Sequence, residues 1–225
     1  EYAHAMGNSA GNLKEFWDQW RNTPRVIGGC IWEFKDQGLE KTDSAGVKYY
    51  AYGGDYGEKY FDNFTIKGVV NADGKPKGVM EECKRIFQPI ECEWLGNKIK
   101  ITNRSNTTNV NKYNCIFILK EDGWNVVKKS ITGLDIQPGK DSVIDVAALI
   151  PTLKPGAAYH LNMRFTFKDS TAWADKHFII AENQFEIQSE KKNIYPVTGR
   201  NGLSFTQSLN SIVIRGKNFT AKIGN

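Results

Sequence analysis

The sequence has no apolar run approaching the roughly 18–20 residues that a membrane helix needs, so no part of it is expected to span a membrane. It has only four cysteines, at 30, 83, 92 and 115, and none in C-x-x-C spacing, which argues against a zinc site. Cys30 and Cys115 lie in apolar runs and are expected to be plain buried thiols. Only Cys83 and Cys92 could pair, and pairing is not expected. There is no block of like charge. The 30 Lys and Arg against 25 Asp and Glu leave a formal net charge of +5. The basic residues form short knots, at 128–129 and 191–192, and not a stripe or an arginine-rich arm, so a nucleic-acid footprint is not expected. No internal repeat recurs at a fixed period. "GGDYG" neither follows a strand nor opens a helix, so it is no nucleotide loop. No initiating methionine or leader precedes "EYAHAMGNSAGN", and the chain is expected to begin inside a longer protein. The compartment, cytoplasmic or periplasmic, stays open.

What is present is enough apolar material for a core: 225 residues, 40% hydrophobic and 12% aromatic, enough for one large or two modest domains. Residues 1–87 mix helix and strand signals. "SAGNLKEFWDQWRN" spaces Leu13, Phe16, Trp17 and Trp20 at helical intervals, with Asn8 or Ser9 as N-cap and Pro24 beyond the end. "RVIGGCIWEF" is nearly all apolar and predicts a strand covered on both faces. The Gly- and Tyr-rich stretch 45–75 reads as irregular. "PKGVMEECKRIFQPI" predicts a second helix, ending before Pro89.

Residues 88–188 change character. "KYNCIFILKE", "AYHLNMRFTF" and "HFIIAENQFEI" alternate apolar and polar side chains between turn signals. Tyr113, Cys115, Phe117 and Leu119 share one face, as do Leu161, Met163, Phe165 and Phe167. About seven short strands in about 100 residues predict an immunoglobulin-like sandwich. Residues 189–225 read as a polar connector, "SEKKNIYPVTGRNG", followed by two short strands, "NSIVIRG" and "FTAKIG". Two strands do not make a stable sheet, so a further β-domain is expected to begin here.

The opening carries chemistry. Glu1 and His4 stand among small residues, and the strand downstream ends in Trp32 and Glu33. In α/β barrels the strand ends on one face carry the site, which would make Glu1 and Trp32 neighbours. Carboxylate, imidazole and exposed indole together suit a sugar, whose C–H faces stack on aromatics and whose hydroxyls need polar partners. Retaining glycosidases use two carboxylates about 5–5.5 Å apart.

"EYAHAMGNSAGN", "GGCIWEFKDQGL", "YGGDYGE", "DNFTIKGVVNADGKPKG" and "STAWADKHFIIAENQFEI" occur in that order. Together they resemble the large bacterial β-galactosidases of glycoside hydrolase family 2 over nearly the whole chain. The resemblance implies the end of a (β/α)8 TIM barrel at 1–87, an all-β immunoglobulin-like sandwich at 88–188, and the first strands of a further β-sandwich domain at 189–225. It implies a retaining hydrolase of terminal β-D-galactose residues acting through a galactosyl-enzyme intermediate. In it, Glu1 matches the nucleophile, His4 and Trp32 match sugar contacts, and Phe64 lines the site. Lys67 occupies a position where the family pattern puts a sodium-ligating asparagine. An ammonium has no lone pair, so sodium is doubtful and Lys67 is expected to replace it. Magnesium is implied for the intact protein only, and this fragment is expected to bind no cofactor. The acid/base glutamate and the magnesium ligands lie upstream of these residues in the family, so the fragment alone is expected to be inactive. The resemblance also implies a homo-oligomer for the intact protein. The alternative is a non-catalytic β-sandwich serving as scaffold or carbohydrate-contact module. Asp55 would touch the site or cap a turn. His160, His177 and Trp173 read as structural, Trp173 as a domain-packing residue.

Overall fold

In a computed structural model, which describes residues 1–7, 9–59, 61–187 and 202–224, the N-terminal region begins with a parallel β-α-β unit. Strand β1 (Ala3–His4) leads through helix α1 (Leu13–Arg21) to strand β2 (Ile31–Trp32), with Ala3 opposite Ile31 and His4 opposite Trp32. Parallel strands need a crossover connection, and α1 supplies it. Leu13 is fully buried at the foot of α1, while Phe16, Trp17 and Trp20 surround Tyr2 and one another at centroid distances of 4.5–6.2 Å. The N-cap is Asn12, in the left-handed region at φ 62°, and not Ser9; Asn8 lies outside the described residues. Ser9 instead turns its hydroxyl to the carbonyls of His4 and Met6, closing the loop after β1.

The predicted long covered strand is cut to Ile31–Trp32. Val26 and Ile27 are exposed and so is Cys30, because among the described residues β2 is paired along one edge only. A hairpin, β3 (Leu39–Thr42) with β4 (Lys48–Ala51), leads into the stretch 45–75 that reads as irregular, and its second strand lies within it. Its turn is made by Asp43, whose Oδ1 accepts from the backbone of Ala45 and Val47, and by Gly46 at φ 83°. Two short 3₁₀ turns follow, Gly53–Tyr56 and Asp62–Thr65. Helix α2 (Gly78–Phe87) then buries Cys83 and Ile86 and stops at Gln88 ahead of Pro89, as its sequence predicts.

The second core belongs to a β-sandwich. Its strands are β5 (Ile90–Trp94), β6 (Lys98–Asn103), β7 (Tyr113–Glu121), β8 (Trp124–Ile131), β9 (Asp141–Asp145), β10 (Tyr159–Phe167) and β11 (Ile179–Ile187). They form an antiparallel sheet ordered β11-β10-β7-β8 and a three-stranded one ordered β5-β6-β9. The alternation works as read: Cys115, Phe117, Leu119, Leu161, Met163 and Phe165 are buried together with Ile99 and Ile101 of the facing sheet. Trp173 is 70% exposed and packs edge-on against Phe167 and Phe178 of the sandwich itself, at 5.3 and 5.6 Å. All four thiols are free.

Asn183, buried in β11, fastens α2 to this sandwich. Its Oδ1 accepts from Arg85, from Gln88 and from the backbone of Cys92, at 3.1–3.2 Å, and its Nδ2 donates to the carbonyl of Ile90. Arg21 of α1 and Arg104 both pair with Glu91 of β5. One compact unit therefore spans Glu1–Leu153 and Ala157–Ser189. A separate unit holds three strands where two were predicted: β12 (Ser204–Ser208), β13 (Ser211–Arg215) and β14 (Thr220–Gly224), an antiparallel meander. Nearly all of the connector "SEKKNIYPVTGRNG" lies outside the described residues.

Candidate active site

The parallel register of β1 and β2 sets His4 directly opposite Trp32. Glu1 is exposed just before β1, in a segment anchored by the Tyr2 N–H to the carbonyl of Cys30 at 3.1 Å. Its neighbour Tyr2 faces the helix layer, where Trp17 Nε1 donates to its hydroxyl at 3.2 Å and burial pushes the phenol above its ordinary value.

Phe64 reaches the same place from the loop. The turn Gly53–Tyr56 lies against Asp62: a Cβ on Gly53 would fall 2.0 Å from the carbonyl oxygen of Asp62, and Gly53 has φ 44°. Only glycine permits both the conformation and the approach. Asp55 Oδ2 accepts from the backbone N–H of Tyr52 at 2.9 Å, so Asp55 caps this turn. Phe64, on the second turn, brings its ring to 6.5 Å from the imidazole of His4.

Lys67 arrives by a backbone ladder. Residues 67–70 run beside 33–36, with Glu33 N–H donating to Lys67 O, Val69 N–H to Glu33 O, Val70 N–H to Phe34 O and Asp36 N–H to Val70 O, all at 2.9 Å. Asp36 locks the ladder: its buried Oδ1 accepts from Gly68 N–H and from Lys77 Nζ, both at 2.7 Å. Gly68 has no room for a side chain, since a Cβ would lie 2.3 Å from Asp36 N. The result puts Lys67 Nζ 4.7 Å from the Phe64 ring centroid and 5.4 Å from that of Trp32, within cation–π range.

His4, Trp32, Phe64 and Lys67 thus form one cluster. Glu1 stands beside it through β1, without a side-chain hydrogen bond or ion pair to it among the described residues. Trp32 and Phe64 keep 44% and 53% of their surface exposed, enough for a ligand to stack on. The Trp32–Glu33 peptide is cis. Asp36, Lys77 and Gly68 were not singled out from sequence. "KDQGL" and "NADGKPKG" carry no local signal that residues 41 positions apart will pair. Thr65 Oγ1 and Glu33 Oε1 are buried without a hydrogen-bond partner among the described residues.

Residues 1–92 match the family model for the TIM barrel domain of glycosyl hydrolases family 2, and residues 99–188 match that for domain 4 of β-galactosidase. This chain belongs to glycoside hydrolase family 2. A β-galactosidase of Priestia megaterium (strain DSM 319 / IMG 1521) is 31% identical over 98% of the chain and 22% of its own length. A β-galactosidase of Vibrio cholerae is 34% identical over 88% of the chain and 19% of its own length. One from Photobacterium profundum is 33% identical over 87% and 19%. The chain therefore spans about a fifth of the length of the curated relatives it matches. Within the family frame, β1-α1-β2 and α2 belong to the barrel domain, and β5 to β11 form the β-sandwich that follows.

Proposed function

We propose that this segment supplies one wall of the active site of a retaining β-galactosidase. Glu1 is the nucleophile. Its carboxylate attacks the anomeric carbon of a terminal β-galactoside, and the bond to the leaving oxygen breaks as a second carboxyl group, from outside these residues, donates a proton. Water then cleaves the galactosyl ester and restores the carboxylate. His4 hydrogen-bonds sugar hydroxyls, Trp32 is the platform for the ring's apolar face, and Phe64 closes the side. The sandwich after the barrel segment is of immunoglobulin-like type. The carrying observation is the register His4 to Trp32 immediately after Glu1, with the Phe64 ring 6.5 Å from His4.

The implied metals fit unequally. At the position of the family's sodium ligand stands an ammonium with three donors and no lone pair, facing two aromatic rings. Those residues do not suit sodium, and we assign it no step. Among the described residues no group of three His, Cys, Asp or Glu side chains could hold a metal, so magnesium is assigned to none of them.

The test is Glu1→Gln in the full-length protein that carries this segment. The amide keeps the shape and cannot form the ester. Turnover of a nitrophenyl β-galactoside should fall by at least about 10³-fold with an unchanged circular dichroism spectrum, and a fluoro-sugar trap should label the wild-type peptide at Glu1 and not the variant. Near-native turnover by the variant would refute the assignment.

A further inference from the structure

Asp36 joins three segments of this chain at one point. Its side chain is 4% exposed, and its Oδ1 accepts from Gly68 N–H and from Lys77 Nζ, both at 2.7 Å. Its backbone N–H donates to Val70 O at 2.9 Å. Lys77 adds a further tie: it is the N-cap of α2, and its N–H donates to Val69 O at 3.0 Å. Segment 33–36, the returning segment 67–70 and the start of α2 are thereby held together by groups that all belong to this chain. The joint lies next to the candidate sugar platform. Trp32 directly precedes one rail of the ladder. Phe64 shortly precedes the other, in a turn tied back to the first rail by Gln37 N–H donating to Thr65 O at 3.0 Å.

We infer that Asp36, with Lys77 as its counter-charge, is a positioning residue for the sugar platform: it sets the spacing of Trp32 and Phe64, and so the placement of the sugar against Glu1. The inference rests on the reading of this site as a β-galactosidase. Hydrogen bonds to a charged group are short and strong, and a buried ion pair that loses one partner leaves an uncompensated charge. The two rails therefore stay together before a sugar arrives, and little ordering is lost on binding. Displacing a positioning element by about 1 Å can cost roughly 10²-fold in rate, even when the change lies away from the reacting atoms. A platform that has lost its spacing holds the sugar less well and presents its anomeric carbon less well, so both KM and kcat should respond.

The experiment measures kcat and KM of the full-length protein on a nitrophenyl β-galactoside, per active site counted by fluoro-sugar labelling. Counting sites removes the effect of a merely lowered folded fraction. Asp36→Ala deletes both side-chain bonds and should lower kcat/KM per site by about 10- to 100-fold, with KM raised and kcat reduced. Asp36→Asn keeps the shape and the acceptor for Gly68 and loses the ion pair, and Lys77→Met keeps the carbon stem and loses it from the other side. Each should cost about 3- to 10-fold per site. Lys77→Arg keeps the charge and should stay within about 3-fold of wild type. If Asp36→Ala does not fold, Asp36→Asn and Lys77→Met decide. Wild-type kcat and KM per labelled site in those two, whatever their folded yield, would overturn the inference and leave the β-galactosidase reading standing. A loss in Lys77→Arg equal to that in Lys77→Met would also overturn it, because the charge would then not matter. No hydrolysis by the wild-type protein would overturn both.

Discussion

Cys115 sits in the sandwich core, and burial pushes its thiol from the ordinary 9.0 up to about 12. Cys92 and Cys83 are raised by the same cause, whereas Cys30 is exposed. The native chain should therefore present one fast thiol to an alkylating reagent at neutral to mildly alkaline pH. Mass spectrometry should place the label on Cys30, with the other three modified only after denaturant is added. Fast labelling of Cys115 in the native state would contradict its burial. The same shift has a consequence for stability. The native state keeps the Cys115 proton when the unfolded chain has begun to release it. This contribution is complete below pH 9.0 and is lost as pH rises toward about 12, by about 1.4 kcal/mol per pH unit for one thiol. Chemical denaturation at a series of alkaline pH values should show the decline, and Cys115→Ala should reduce its slope.

The ladder that carries Lys67 depends on one glycine. Gly68→Ala would drive a methyl group into the backbone of Lys35 and Asp36, 2.3–2.6 Å away. Backbone cannot swing aside as a flexible side chain can, so the ladder must separate. We expect a loss of about 1–3 kcal/mol in urea unfolding of this chain. Gly54→Ala is the control, because its added Cβ meets nothing within 4 Å, and it should be nearly neutral. Equal effects from the two would mean that the close approach at Gly68 does not hold the loop. Element by element, the sequence was most readable where one period persisted. The helices at Leu13–Arg21 and Gly78–Phe87 and the strands at Tyr113–Glu121, Tyr159–Phe167 and Ile179–Ile187 lie where their apolar spacing puts them. It was least readable at β2, whose apolar run promises a long covered strand. Strand length is set by partners on either edge, which are not written in the strand itself.

At the scale of the whole molecule, two hydrophobic clusters share one compact unit, one around Leu13, Val69 and Ile86, the other around Phe117, Tyr159 and Phe165. The second cluster has large, fully buried side chains between a four-stranded and a three-stranded sheet; we propose that residues 88–188 can hold it alone. Limited proteolysis should leave a core of roughly 100 residues, and preferential survival of residues 1–87 would contradict this. The same division bears on catalysis. The proposed mechanism needs a proton donor from outside these residues, and that step alone is worth roughly 10²–10⁴-fold. The purified 225-residue chain is expected to show no turnover of a nitrophenyl β-galactoside above the blank.

The sequence by itself determined the two characters of the chain. Helical spacing followed by alternation of period two is a local property, and each period selects its own element before any long-range contact forms. It also determined, through motifs in fixed order, the family and the candidates Glu1, His4, Trp32, Phe64 and Lys67. What only the tertiary structure decided is how the last four meet. His4 and Trp32 face each other because β1 and β2 pair in parallel with that register. Lys67 comes beside Trp32 because residues 67–70 return along 33–36 and Asp36 clamps them there. The lysine's position in the chain says only that it carries a charge. That the charge is buried against two rings depends on contacts between segments more than 30 residues apart, and no local pattern encodes such contacts.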